Sequence, residues 1–356
     1  MKSDRAVLFS CPQPLNAPGP SRPLTRLHNA FQAHFQASHT LWPQLFPQMA
    51  DPGKLGEALG PAFDDVATDR LTDAGSTMAP NVFLGGGGAS LHQMEWAHAL
   101  AGASCGTLWF SSHYEHATKV LATEYAAHGI QSTPIHPYVA WRAKQEQLAS
   151  DFLVVPSEAC KATYPAALQH KIHVAQFGVD TERYRPRPKR QNPRLQVLFP
   201  GTNPFRKGLR YALQAWKTLD HAKYQLTVTG TQLAPLPPNM PPVLSTGWVP
   251  DPAMDDLYAS HDVLLLPSLE EGQALASLEA AACGLPLIVT PETGLPITDG
   301  KEGFVVPARD PAAIQHALET LQDPDVYHRM SHAARVFAEA RPWSFFTDRV
   351  ISILEA

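Results

Sequence analysis

The chain predicts an α/β protein made of two doubly wound parallel-sheet domains. Three observations lead there. Short apolar runs alternate with helix-forming stretches along most of the sequence. The alternation stops once, in the Pro-rich basic segment VDTERYRPRPKRQNP over 179–193, and then restarts. The 356 residues also exceed the length at which a single hydrophobic core usually divides. The expected parts are a first domain over 1–186, a second over 187–340 and a closing helix over 341–356.

Taken in order, Ala6 to Ser10 reads as the first strand, followed by a Pro-rich turn and a helical pattern from about Leu24. Pro80 to Leu84 and Gly106 to Phe110 read as strands, followed by helical stretches Ser90 to Leu100 and His113 to His128. Phe152 to Val155 and Ile172 to Ala175 are strands with a helix from about Glu158 between them. Past the interruption come strand Leu195 to Pro200, helix Leu209 to Leu219, and strands Gln225 to Thr229 and Val243 to Thr246. Helix Pro252 to Ser260, strand Val263 to Leu266 and helix Ala274 to Ala282 follow. Gly284 and Pro286 stop that last helix, since one favours a left-handed cap and the other cannot continue the helix. Pro342 to Leu354 reads as the final helix.

Composition excludes several classes. A net charge of -5 and a pI near 6.3 lack a nucleic-acid footprint. Cys11, Cys105, Cys160 and Cys283 form no CxxC pair, so neither zinc nor a disulfide framework is expected. His113 and His116 beside Glu115 have no third ligand at matching spacing. The apolar run in MKSDRAVLFSCPQP is too short for a signal peptide or a membrane span, which points to the cytoplasm, with the inner membrane face as a secondary location. Leu24, Leu27, Phe31 and Phe35, followed by Leu41, Trp42, Leu45 and Phe46, read as a core-facing stripe in preference to an interfacial helix. Asp64-Asp65 and Asp255-Asp256 read as helix-terminal acids.

The most specific stretch is PSLEEGQALASLEAAACGLPLIVT, 267–290. A buried strand feeds a loop holding Glu271, and the loop opens a helix holding Glu279 near its first turn. The amides of Gln273, Ala274 and Leu275 at that helix start suit a phosphate, and flanking carboxylates suit hydroxyl-rich groups such as a sugar and a ribose. The alternative is a set of solvated helix-end acids, Glu270 and Glu271 with an exposed Glu279. FPGTNPFRKG places Gly201 just past a strand and Arg206 and Lys207 at the next helix start, cations able to stabilise a leaving diphosphate. Gly85 to Gly88 follow a strand and precede a helix, either a loop in close contact with a ligand, through Gly87 and Gly88, or a plain turn.

Residues 267–290 resemble the E-x7-E donor motif of the retaining GT-B glycosyltransferases of family 4, P-S-x-x-E-G-F-G-L-x-x-L-E-A-x-A-C-G-x-P-V-I. Gln273 stands where that motif has Phe, and Ala274 where it has Gly. QFGVDTERYRP resembles the family's hinge phrase, LWFSSHYEHATKVLATEYAAHGI a subgroup phrase containing S-T-H, and STGWVP the base-reading L-G-Y-V-P segment. FPGTNPFRKG is similar to a subgroup's G-Q-L-S-L-R-K-G, with Thr202 where many members have Arg.

The resemblance implies two Rossmann-like domains facing a cleft, with the last helix crossing back to the first domain. It implies metal-independent, retaining transfer of a hexose-type sugar from a UDP-, GDP- or ADP-sugar to an acceptor hydroxyl, with no other cofactor. Glu271, Arg206, Lys207 and His113 would be catalytic, His113 bonding a donor hydroxyl or positioning the acceptor. Glu279, Gly201, Thr202, Gln273, Ala274, Leu275, Gly230, Trp248 and Val249 would bind the donor, with Trp248 equally open to being a packed aromatic. A catalytically silent sugar-nucleotide-binding protein and an epimerase are the alternatives.

Overall fold

The computed structural model describes residues 3–10, 21–41, 68, 80–188, 192–230 and 239–356. Cys11, Trp42, Leu45, Phe46 and the Asp64-Asp65 pair lie outside them. The chain divides into two compact units, one of residues 1–118, 133–176 and 346–356, the other of 119–132 and 177–345.

The first unit is built on six strands: β1 Ser3–Ser10, β2 Phe35–Leu41, β3 Val82–Gly86, β4 Ser104–Leu108, β5 Phe152–Val155 and β6 Ile172–Val174. Their order is β2-β1-β3-β4-β5-β6, every pairing parallel. β3 and β5 are buried along their whole length, as strands covered on both faces must be. The helices that begin in this part of the chain are α1 Ser21–His34, α2 Leu91–Trp96, α3 Tyr114–Ala127, α4 Pro137–Ala149 and α5 Glu158–Ala162. Leu24, Leu27 and Phe31 of α1 are buried, so its apolar stripe is core, with Phe31 set edge-on between Phe9 and Phe35.

The second unit carries β7 Leu195–Pro200, β8 Tyr224–Thr229, β9 Leu244–Gly247, β10 Val263–Leu266, β11 Leu287–Val289 and β12 Gly303–Val305. Their order is β12-β11-β10-β7-β8-β9, again wholly parallel. Helices α6 Leu209–Trp216, α7 Met254–Ala259, α8 Leu275–Ala282, α9 Pro311–Thr320 and α10 Pro324–Glu339 accompany it. Val197, Phe199, Val228, Val263, Leu265 and Ile288 of the strands pack with Ala212 and Trp216 of α6 and Ile314 and Leu318 of α9. The strand order reverses between β7 and β10, which are direct neighbours. In an open α/β sheet the crevice at the carboxyl ends of such a pair is where ligands bind.

The final helix, α11 Trp343–Glu355, has its residues from Phe346 onward in the first unit, where the Arg5 guanidinium donates to the Leu354 carbonyl at 2.6 Å. No described helix is long and apolar enough to cross a membrane.

Several expected elements differ. Phe35 starts β2 instead of extending the α1 stripe, because residues 35–41 pair in parallel with β1. α4, absent from the expected elements, occupies 137–149 with His136 as its N-cap. The stretch expected as one helix from Ser90 to Leu100 is α2 followed by a π turn, Ala97–Ala101, closed by left-handed Gly102. The described part of the expected linker is packed into the second unit. Tyr184 is buried, Arg183 pairs with Asp251 at 2.8 Å, and Arg187 pairs with Asp255 at 2.6 Å and also with Asp256.

Candidate active site

The loops leaving β7 and β10 meet at the reversal point of the second sheet. Past β10, Thr290 Oγ1 donates to the Ser268 carbonyl at 2.6 Å and the Ala274 amide donates to the Thr293 carbonyl at 2.9 Å, so residues 268–274 are tied down at both ends. Past β7, Arg206 and Lys207 lie in the turn that precedes α6, three and two residues before its first residue Leu209 and not in the helix start itself. Gly208 caps that helix with φ +73°, and a Cβ there would overlap the Pro267 carbonyl oxygen. A Cβ on Gly201 would lie 2.8 Å from Lys207 Cγ, and one on Gly230 2.9 Å from the Gly201 carbonyl carbon. The Leu269 amide donates to the Arg206 carbonyl at 2.8 Å and completes the seam. Gly208→Ala is therefore expected to cost about 1–3 kcal/mol through the left-handed strain alone, plus the overlap, read as a lower urea midpoint.

Two cations and two carboxylates face each other across this seam. Glu271 accepts from Arg206 Nη2 at 3.0 Å, from Ser268 Oγ at 3.3 Å and, in a close ion pair, from Lys207 Nζ. Glu270, read from the sequence only as a helix-end acid, pairs with Arg206 Nε at 2.7 Å. Glu270, Glu271 and Glu279 are all buried, which excludes the solvated helix-end reading of these acids. The pairing also offsets the clash of Arg206 and Lys207 with the positive end of α6.

Burial pushes the Glu271 carboxyl up, but Arg206, Lys207 and the hydrogen bonds from Lys207 and Ser268 bring it below its ordinary 4.5. A depressed folded-state pKa stabilises above the unfolded value and stops doing so as pH falls through the folded one. The thermal midpoint should thus be insensitive to Glu271 above pH 4.5 and fall below it, a fall reduced in Glu271→Gln.

α8 begins after Ala274, whose own amide is taken by Thr293, so the amides at its open end are those of Leu275 and Ala276 rather than Ala274. Gln273 Oε1 accepts from the Phe177 amide at 2.6 Å. That bond fixes the orientation of the side chain and leaves Nε2 buried without a protein partner among the described residues. Ser277 Oγ, in the first turn, is buried in the same way. Glu279 falls in the second turn of α8, not near the first, and accepts from the Tyr258 hydroxyl of α7 at 2.9 Å.

Thr202 is exposed, Trp248 is 64% exposed and so is not a packed aromatic, and Val249 is half-buried.

In the first unit His113 follows β4 and is buried. Its Nδ1 accepts weakly from the Glu115 amide at 3.4 Å, its side chain hydrogen-bonds Gln147, and its ring lies against Tyr114 and Tyr164. Burial, set against Glu115 and Gln147 and helped by His116, lowers its pKa below 6.5, so the ring is neutral at neutral pH.

The glycine loop is filled from within. The Gly88 and Ser90 amides donate to the two carboxylate oxygens of Glu146 at 2.6 and 3.0 Å, and Arg142 Nε binds the Gly88 carbonyl at 3.2 Å. The loop's anion is a side chain of α4, which replaces the expected ligand contact at these amides. Gly87 is required because a Cβ would lie 2.5 Å from the Trp109 ring. His98, Cys105 and Asp151 lie close together, and burial and then Asp151 push the Cys105 thiol up to about 12.

Two wholly parallel α/β sheets with these loops at a reversal point define a GT-B fold, the fold of a class of glycosyltransferases. Residues 194–323, about a third of the chain, match the family described as glycosyl transferases group 1. The chain is 33% identical over 162 residues to O-antigen chain mannosyltransferase B of Escherichia coli, a stretch covering 42% of each chain. It therefore spans less than half the length of that relative. Sucrose-phosphate synthase from Thermosynechococcus elongatus superposes with a TM-score of 0.75 at 16% identity, over 99% of this chain and 98% of that one. HepE of Anabaena, solved in complex with UDP and glucose, superposes with a TM-score of 0.64 at 13% identity, over 99% and 100%.

Proposed function

We propose that the protein is a retaining, metal-independent glycosyltransferase that moves a hexose-type sugar from a nucleoside-diphosphate sugar to an acceptor hydroxyl. The observation that carries this reading is the buried Glu271 held between Lys207 and Arg206 beside the open end of α8. The UDP and glucose in HepE support a sugar-nucleotide donor, with UDP, GDP and ADP all to be tried.

In this reading the Leu275 and Ala276 amides, with Arg206 and Lys207, receive the diphosphate. Glu271, kept ionised, accepts from sugar hydroxyls and offsets positive charge at the anomeric carbon. Gln273 Nε2 and Ser277 Oγ supply further polar contacts at the helix start. The bond from the anomeric carbon to phosphate breaks as the acceptor oxygen bonds to that carbon on the same face. The acceptor proton passes to the departing phosphate oxygen. Glu279 takes the ribose hydroxyls, held in place by Tyr258. Gly201, Thr202, Gly230, Trp248 and Val249 complete the nucleotide side. His113, neutral and hydrogen-bonded by the Glu115 amide and the Gln147 side chain, serves as a positioning residue for the first unit in preference to carrying protons.

Tyr258→Phe should then raise the donor KM by about tenfold with little change in kcat, since it loosens a ribose contact made equally in ground and transition states.

The direct test incubates the chain with UDP-, GDP- and ADP-sugars, with and without EDTA, and measures nucleotide release and the anomer of the product. An inverted anomer would overturn retention. Tight donor binding with no release under any acceptor would make the protein a silent sugar-nucleotide binder.

A further inference from the structure

α4 is turned inside out. A surface helix ordinarily hides its apolar side chains and wets its polar ones. In α4 the buried residues include Arg142, Glu146 and Gln147, which hold the glycine loop and His113. Tyr138, Trp141 and Leu148 face solvent instead, at 47, 51 and 59% exposure. Spaced by three and seven residues, they form a single stripe, and the Tyr138 and Trp141 rings stack at 5.8 Å and 20°. Lys144 is exposed between Trp141 and Leu148, and no exposed residue of α4 is acidic. The contacts of the helix with Gly88 and His113 set it beside the loops leaving β3 and β4, the ligand-binding edge of the first sheet.

The size of the stripe decides what covers it. Three half-exposed side chains offer about 300 Å² of contact, against ~800 Å² per partner for a stable protein interface. A Trp, a Tyr and a Leu flanked by a lysine, with no carboxylate, is the composition that settles among lipid headgroups, rings at the boundary and ammonium on phosphate. We infer that the exposed face of α4 docks on an anionic lipid surface, with Tyr138, Trp141 and Leu148 entering the acyl boundary. This inference is independent of the proposed sugar transfer.

The test floats the full chain with vesicles of phosphatidylcholine alone and of phosphatidylcholine with phosphatidylglycerol. The wild-type chain should float with the anionic vesicles. The triple variant Tyr138→Ser, Trp141→Ser, Leu148→Ser should bind at least about tenfold more weakly, with unchanged circular dichroism. Lys144→Glu, a single exposed change that keeps the fold, should weaken binding to anionic vesicles and lose the dependence on salt. A chain that stays unbound with both vesicle types, or variants that float as well as wild type, would overturn the proposal. So would a dimer on gel filtration that only the triple variant abolishes, since the face would then belong to a second copy.

Discussion

Glu271→Gln is expected to lower kcat for sugar transfer by about 10³-fold while leaving the protein folded, the largest catalytic effect of any single substitution in the site. The amide keeps the shape and one acceptor oxygen, so Ser268 and Lys207 retain a partner. What disappears is the negative charge that opposes Lys207 and Arg206 and that the anomeric carbon would meet as its bond to phosphate opens. Lys207→Ala should cost about 10²–10³ in kcat by removing a cation from the leaving group. The double variant should fall well short of the product of the two losses, because the residues act as one ion pair. The measurement is nucleotide release on whichever donor the wild-type chain turns over. A Glu271→Gln protein that is folded and turns over at the wild-type rate would remove the second unit's seam from the chemistry.

Glu146→Ala is expected to destabilise the first unit by about 3–5 kcal/mol, which for a unit of this size is a drop on the order of 10 °C in the thermal midpoint. Its carboxylate is fully buried, ties the amides of Gly88 and Ser90, and pairs with Arg142 at 3.4 Å. Removing it takes the carboxylate from a buried guanidinium and the acceptor from two loop amides at once. Glu146→Gln keeps an acceptor and should recover part of the loss. A midpoint unchanged in Glu146→Ala would mean that water fills the loop as well as the carboxylate does.

The legible parts of the fold share a physical basis. β5, β7 and β10 were read nearly residue for residue because each is a short apolar run between turn residues, the signature of a strand buried on both faces. β2 was not legible because FQASHTL carries little strand propensity of its own and owes its form to pairing with β1. α4 escaped because its hydrophobic period points outward, so a search for an inward apolar stripe finds none.

The candidate site divides the same way. Glu271, Arg206 and Lys207 stood out through local spacing, and the structure brings these three together. Glu270 was visible as the first of two acids but gave no sign that Arg206 would neutralise it. Tyr258 supporting Glu279, Phe177 claiming Gln273 and Glu146 filling the glycine loop join residues 21, 96 and 58 positions apart, contacts that no local pattern encodes. Gln273 is instructive in this respect. Where the resembled motif has an aromatic, this chain has an acceptor for a backbone amide that a phenyl ring would leave unbonded.

The seam of Gly201, Gly208 and Gly230 has a consequence for anyone wishing to alter donor choice. The loop bearing the cations and the loop bearing the carboxylates share a backbone hydrogen bond and a contact with no room for a methyl group. They behave as one cast piece, and a change in either is transmitted to both. In the proposed reading, donor preference would be altered through side chains that leave that shared backbone in place, Thr202 on the exposed side and Gln273 on the buried side.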